Sequence, residues 1–380
     1  MFDNCVRFEI PTHSKDWYKF RTIGIEEYPG GIGGSETGKI LGLDEYRPVL
    51  AEVFHHKVGS EQINKFDNLP MCMGRILEPT VMHFWQCYNG DNEEMIDTYE
   101  QWKKTKDDSL LVRRAKNVDC YLVNPKFPWL FTSLDFAIDK GQPNLITGEI
   151  LEEECPLEIK TISPMAAKRW DDGIPPKYAV QVNQQMIVTE TNYAEIAVLV
   201  GSNDFKVYKF ERDEELCERI LQETKDFWFG KVLPGRKHLK YRDAALSKNK
   251  MDIYEKFEGK IQHLEPEPDT TKAWQNYLNE KHKVEREFVE GSKFDLRNAK
   301  KYKSVDSVIK ALEKRKQMYK NYLLDSIVEN KVEELDLLKH GKVTYTGTKS
   351  KRLNISIKKP DKKHVEVEVS KIKDYLYDEE

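Results

Sequence analysis

Two short apolar runs that carry charge constrain this chain more than any other feature. Ser133-Leu134-Asp135 lies in Trp129–Ile138, which reads as a hydrophobic strand, and Leu157-Glu158-Ile159-Lys160 lies in a second, Pro156–Thr161. Successive side chains on a strand point to opposite faces, so Glu158 and Lys160 share one. The connection between the runs is long enough to return as a hairpin and set Asp135 beside that pair. A charge inside an apolar strand needs a partner or a metal ion, because burying it alone is costly.

A lone Glu-x-Lys on a strand is ordinarily a solvated edge, and an Asp after an apolar strand is ordinarily a turn residue. Together in hydrophobic strands they supply what phosphodiester hydrolysis needs: carboxylates for a divalent cation and an ammonium near the attacking water. Mg2+ keeps several waters, so two or three acids are sufficient, with Mn2+ as a substitute.

Around these runs, helices and strands alternate up to about residue 230. Ser35 is expected to cap a short helix through Leu41. Met71–Tyr88 carries Ile76, Leu77, Val81, Phe84 and Trp85 at helical spacing, with Glu78 on the same segment. A strand is expected over Asp119–Val123, a helix around Tyr178–Thr189, strands at Ala194–Val200 and Lys206–Phe210, and a helix over Glu214–Phe229. Composition changes at Leu233-Pro234-Gly235. Beyond it Trp274–Val289 and Val305–Leu338 are helical by periodicity, while Val343–Thr346, Leu353–Ile357 and Val365–Val369 alternate like strands. The expected organisation is a domain over 1–235 and an accessory region over 236–380, helical in 270–340 and β-like in 341–372, with the acidic end Asp378–Glu380 disordered.

Charge follows the same division. Residues 236–380 hold 34 Lys+Arg and 26 Asp+Glu, against 27 and 39 in residues 1–235. The acidic first part is a poor polyanion binder by bulk charge, although metal ions among its carboxylates would change that locally. Residues 293–320 carry ten basic side chains, which suit either a solvated helix face or an arm that tracks duplex phosphates. The six cysteines (Cys5, Cys72, Cys87, Cys120, Cys155, Cys217) form no CxxC pair, so a zinc ribbon is disfavoured and reduced thiols are expected. No apolar run suits a bilayer span and no signal segment opens the chain, so a cytoplasmic protein of a bacterium or phage-infected cell is expected.

Asp, a connection and Glu-x-Lys at the end of a buried strand resemble the PD-(D/E)xK nuclease superfamily. Residues 13–229 more narrowly resemble the YqaJ-type viral recombinases, the branch similar to phage lambda exonuclease. The ordered motifs are His13-Ser14-x-x-Trp17-x-x-x-Arg21, Ile32-Gly33-Gly34-Ser35-Glu36, Gly74-x-x-x-Glu78, Ser133-Leu134-Asp135, Leu157-Glu158-Ile159-Lys160 and Tyr178-x-x-Gln181-Val182-x-x-Gln185-Met186. Arg212-Asp213-Glu214 follows them. The resemblance implies an α/β core with a mixed central sheet flanked by helices. It implies Asp135, Glu158 and the Ile159 carbonyl as metal ligands, with Glu78 completing a second position. Lys160 would orient or help deprotonate water, Gln181 would assist around that water, and Arg21 and Ser35 would receive a DNA 5′-phosphate. Gln185 lies one helical turn after Gln181, where sharing its face and a solvated or core-edge place are both open.

The loop Gly33–Lys39 satisfies G-x-x-x-x-G-K, but Ile40 stands where a phosphate-binding loop needs a hydroxyl, so the loop suits an anion better than ATP. His55, His56 and His83 lack metal-site spacing, and Trp85, Trp102 and Trp129 read as packing residues. The expected function is Mg2+-dependent DNA exonuclease action. By resemblance it runs 5′→3′ from double-stranded ends, leaves 3′ single strands for recombination, works as a homotrimer and has a single-strand annealing protein as partner. The alternatives are an endonucleolytic or structure-specific repair nuclease and a non-catalytic DNA-binding scaffold.

Overall fold

The computed structural model describes residues 2–10, 14–61, 69–170, 173–201, 204–281, 291–337, 341–346 and 352–357. His13, Val365–Val369 and Asp378–Glu380 lie outside them. In chain order the elements are β1 (Val6–Phe8), α1 (Lys15–Arg21), β2 (Ile32–Gly33), α2 (Gly34–Ile40), α3 (Leu50–Val58), α4 (Leu69–Cys87), α5 (Asn92–Thr105), β3 (Ala115–Asn117), β4 (Tyr121–Val123), β5 (Leu130–Phe131) and β6 (Phe136–Ile138). They continue with β7 (Cys155–Ile162), α6 (Pro164–Ala167), α7 (Pro176–Thr189), β8 (Tyr193–Val200), β9 (Asp204–Glu211), α8 (Glu214–Phe227), α9 (Leu233–Leu246), α10 (Met251–Leu264), α11 (Lys272–Lys281), α12 (Lys293–Glu329), β10 (Glu334–Asp336), β11 (Gly341–Thr346) and β12 (Arg352–Ile357).

The central sheet has the order β3-β6-β7-β8-β9 and is mixed: β7 and β8 run parallel, the other pairs antiparallel. Two-residue alternation along β7 and β8 produces the layers. Leu157 and Ile159 on β7, with Tyr193 and Ala197 on β8, pack with Val81 and Trp85 of α4. On the other face Ala194, Ile196 and Val198 pack with Val182 and Met186 of α7. A further core beyond α7 joins Ile32, Phe54, Val58, Leu130, Val180, Ile220, Phe227 and Val232. The sheet therefore lies between α4 and α7.

The expected single strand over Trp129–Ile138 is broken. Leu130–Phe131 pairs in parallel with Ile32–Gly33, while Phe136–Ile138 joins the central sheet. The break spans Thr132–Asp135 and lets one apolar run serve two sheets. The expected strand over Asp119–Val123 shortens to β4, paired with β1.

The chain divides into two compact units, Met1–Lys283 and Val284–Glu380. The composition change at Leu233–Gly235 lies inside continuous helix: α8 passes through a π-helical stretch, Trp228–Val232, into α9. This wider turn sits just before Pro234, which has no backbone N–H to donate. Helices α9 to α11 belong to the first unit, with Trp274 and Tyr277 of α11 packed against Val49 and Ala51. In the second unit, Ser292 and Asp295 cap each other's backbone at the start of α12, and β10, β11 and β12 form an antiparallel sheet. The helix expected over Val305–Leu338 ends at Glu329, and strand begins at Glu334. Among the described residues, no helix is long and apolar enough to cross a membrane. The six cysteines are unpaired.

One charged pair is sealed in the core. Arg113 donates to both oxygens of Glu195 on β8, at 2.6 and 2.5 Å, and Trp85 Nε1 donates to the same carboxylate at 2.7 Å. Removing one partner leaves the other charge without compensation. Glu195→Ala should therefore lower unfolding stability by about 3–5 kcal/mol, measured by chemical denaturation; a cost below about 1 kcal/mol would show that Arg113 finds water or another acceptor.

Candidate active site

The antiparallel register of β6 and β7 pairs Phe136 with Leu157, which places Asp135 opposite Glu158. The Ile159 backbone N–H donates to Asp135 Oδ2 at 2.8 Å. That bond turns the carboxylate toward β7, and the break in the preceding strand makes the approach possible.

Glu158 points to the α7 face and is only 3% exposed. Gln181 Nε2 donates to its Oε1 at 2.7 Å, Gln185 Nε2 donates to its Oε2 at 2.5 Å, and Lys160 Nζ pairs with Oε1. The one-turn spacing of Gln181 and Gln185 puts both amides over one carboxylate. The question the sequence left open for Gln185 is thereby answered: it is buried and bonded to Glu158. Among the described residues its Oε1 has no hydrogen-bond partner, an unspent acceptor beside the carboxylate.

The electrostatics reflect crowding. Burial, followed by the charge of Glu158, pushes the Asp135 carboxyl well above the ordinary aspartate range; Glu78 adds to this, while Lys160 opposes it. Burial works against the Lys160 ammonium, but Glu158 and Asp135 outweigh it and hold its pKa above that of an ordinary lysine. Glu78, on α4, is also raised, first by burial and then by Glu158, against the pull of Lys160 and Arg75. Glu78, Asp135, Glu158 and Lys160 thus lie within electrostatic reach of one another. The Lys160 ammonium also sits 5.6 Å from the centre of the Tyr178 ring.

Among the described residues, no three His, Cys, Asp or Glu side chains form a cation site on their own. Asp135 and Glu158 make a two-carboxylate centre whose hard oxygen donors suit Mg2+ or Mn2+, ions that retain water as further ligands. Two of the histidines without metal-site spacing have other partners: His83 bonds Gln86 at 2.9 Å and His55 pairs with Glu265 at 2.9 Å. Trp85 is buried, and Trp129 donates to Thr224 at 3.1 Å.

Arg21 ends α1, and Ser35 lies in the first turn of α2, which packs against the same helix. Ser35 does not cap α2: Gly33 is the capping position, and its N–H donates to Glu36 Oε2 at 2.8 Å. The Ser35 hydroxyl instead accepts from Arg21 Nη2 at 3.3 Å. Helix α2 lies so close to α7 that a Cβ on Gly34 would stand 3.2 Å from Gln181 Cγ. The loop and the carboxylates therefore share α7 as their common wall.

Three residues that sequence reasoning passed over build this wall. Gln184 Nε2 donates to the carbonyls of Ile32 at 2.9 Å and Phe131 at 3.0 Å, and its amide oxygen accepts from Thr37. Lys57 and Arg236 hold the loop from below. A lysine on the α3 face shared with Val53 and Phe54 was the available signal for Lys57; Arg236, far along the chain, had none. Gln184→Leu should cost about 1–3 kcal/mol of stability, because buried carbonyls lose their donor, as read by thermal or denaturant unfolding.

Comparison with known proteins follows these geometric lines. The model of the YqaJ-like viral recombinase domain matches residues 16–192. Uncharacterized protein YqaJ of Bacillus subtilis (strain 168) is 30% identical over 234 residues, or 58% of this chain, and this chain spans 62% of that relative's length. Two crystal structures of the alkaline exonuclease LHK-Exo from Laribacter hongkongensis, one in complex with dAMP, share 16% and 15% identity with this chain. Each covers 57% of this chain and 94% of its own, with TM-scores of 0.36 and 0.37. The matched segment 16–192 contains Arg21, Ser35, Glu78, Asp135, Glu158, Lys160, Gln181 and Gln185 and stops short of Arg236. Over residues 16–192, just under half of its length, this chain is similar to the YqaJ-like viral recombinase domain.

Proposed function

We propose that this protein is a metal-dependent DNA nuclease of the PD-(D/E)xK type that acts on linear double-stranded ends. The observation that carries the reading is the convergence on Glu158 of Lys160, Gln181 and Gln185, with Asp135 set opposite by the hairpin register. The structural carboxylate of Glu195 also has a cation and two neutral donors, so the donors alone do not set Glu158 apart and its neighbour does. Glu158 has an ammonium and two amides, beside a second carboxyl that burial and charge repulsion keep from ionising readily.

Asp135 and Glu158, with the Ile159 carbonyl, would hold a divalent cation, and Glu78 would complete a second position. The bound cation would supply activation of water and neutralisation of phosphoryl charge. Lys160, freed from Glu158, would orient the attacking water and stabilise charge on the phosphate. Gln181 and Gln185 would keep the Glu158 carboxylate turned toward the reacting group. Arg21 and Ser35 would receive the 5′-phosphate, which favours cutting from an end in the 5′→3′ direction. The homotrimer and the single-strand annealing partner are proposed on resemblance alone. The exposed basic residues of α12 suit duplex tracking, and residues 284–380 form the segment to remove in testing this, since a cut at 236 would also remove helices of the first unit.

Asp135→Ala and Lys160→Ala should each lower single-turnover hydrolysis of linear duplex with Mg2+ on the order of 10^3-fold, and Gln185→Leu about 10- to 100-fold, with duplex affinity retained. Variants that keep full activity would sink the assignment, and nicking of covalently closed duplex would turn it toward an endonuclease. A pH dependence follows from the raised Asp135 pKa. Binding a cation must expel the extra proton, so Mg2+ or Mn2+ affinity should rise with pH and level off above that pKa. Below it, affinity should fall by about tenfold per pH unit for each proton displaced, as calorimetry would measure; pH-independent affinity would place the cation elsewhere.

A further inference from the structure

The loop between α1 and α2 is fastened from beneath by two cations that the proposed chemistry leaves unused. Lys57, on α3, is fully buried, and its ammonium donates to the carbonyls of Arg21 and of Gly31, the latter at 2.7 Å. It also pairs with Glu36 at 2.6 Å. Arg236, on α9, donates to Lys57 O at 2.7 Å, Pro29 O at 2.6 Å and Thr22 O at 2.8 Å. Its guanidinium lies 4.9 Å from the centre of the Trp228 ring. Carbonyls towards both ends of the loop, Arg21 and Thr22 at one and Pro29 and Gly31 at the other, are thus gripped by two side chains, and Arg236 also bonds the Lys57 backbone.

The arrangement is expensive unless it serves something. Arg21, Lys57 and Arg236 crowd one loop, and Glu36 is the carboxylate that contacts Lys57 directly. Burial pulls the Lys57 pKa down to about 8, against Glu36 and aided by the charges of Arg21 and Arg236. Burial likewise lowers Arg236 to about 10. The loop accepts the clamp only because Gly30 adopts φ +85° and carries no Cβ, which would stand 2.9 Å from Thr22 O and 3.4 Å from Arg236 Nη2. Three cations converge on the loop and Glu36 is the carboxylate in contact with Lys57, while Glu26 and Glu27 lie on the loop itself. The exposed outlet of that cluster is the Arg21–Ser35 hydrogen bond.

We propose that Lys57 and Arg236 are positioning residues for a terminal phosphate. They fix the Arg21 and Gly31–Gly33 backbone so that Arg21 and Ser35 meet a dianion in a ready-made geometry, and they add field without touching the ligand. This rests on the reading of Arg21 and Ser35 as the 5′-phosphate receptor, and it extends that receptor to α9, beyond the matched recombinase domain. A plain scaffold would affect substrates with and without the phosphate alike; a positioning device distinguishes them.

The test compares 5′-phosphorylated and 5′-hydroxyl linear duplex in steady-state digestion by the full-length chain. The enzymes are the unaltered protein, Lys57→Met, Arg236→Gln and Arg236→Lys, with Glu195→Gln as a variant destabilised elsewhere. The expected result is a preference for the phosphate in the unaltered protein, expressed in KM. That preference should fall by about tenfold or more in Lys57→Met and Arg236→Gln, while kcat on the hydroxyl substrate stays within about threefold. Arg236→Lys should recover part of the preference, because it restores the charge without the three-way fork, and Glu195→Gln should keep it. Equal losses on both substrates, or a preference that survives in Lys57→Met and Arg236→Gln, would overturn the positioning role alone. Indifference of the unaltered protein to the 5′ group would overturn the terminal-phosphate reading itself.

Discussion

The structure turns on one buried negative charge. Glu158 sits on the central strand of a sheet covered on both faces, 3% exposed, where an unaccompanied carboxylate would be prohibitively costly. Its neighbours answer that cost. Lys160 returns from the same strand face, and Gln181 and Gln185 descend from α7. The spacing of those glutamines and the close approach of Gly34 on α2 to Gln181 together cover this charge. A buried polar network is costly wherever a member is left unsatisfied, and among the described residues Gln185 Oε1 has no hydrogen-bond partner.

The same sheet holds a second buried charge with a different solution. Glu195 faces α4 and is closed off by Arg113, Trp85 and Tyr193. That network balances its charge, with both Glu195 oxygens bonded, although among the described residues Arg113 Nε finds no acceptor. The Asp135–Glu158 pair is overcharged, so that burial and repulsion drive the Asp135 pKa up despite Lys160. An excess of negative charge held in place by packing is what a cation can relieve, which separates this pair from a staple.

Much of the centre was legible because its signals are local. Alternation on β7 places Glu158 and Lys160 together, one-turn spacing on α7 aligns Gln181 with Gln185, and an apolar run before Asp135 announces a buried strand. The breaking of Trp129–Ile138 into β5 and β6 was not legible, since both halves are equally apolar and the choice of partner strand is made across the sheet. The shift of the cap from Ser35 to Gly33 had a similar origin. Glu36 reaches back to the Gly33 N–H, and Lys57 and Arg21 recruit the groups that the sequence alone would leave to local capping.

What the sequence by itself determined is the chemical kit and its order along the chain. Asp135, Glu158-Ile159-Lys160, the glycine-rich loop and the alternation of helices and strands follow from periodicity and residue type, while the mixed sheet and the place of Gln181 came from the family resemblance. What only the tertiary structure decided is how distant pieces share one wall. Arg236 enters the loop from a helix that composition assigned to another region, and Lys57 spends its charge on backbone carbonyls. The division into units falls after Lys283 rather than at the change of composition near Pro234. The reason is that charge pairing and carbonyl capture act through space at a few ångströms, where sequence separation has no bearing on energy. Strand and helix patterns act within a turn or two, where sequence separation is everything.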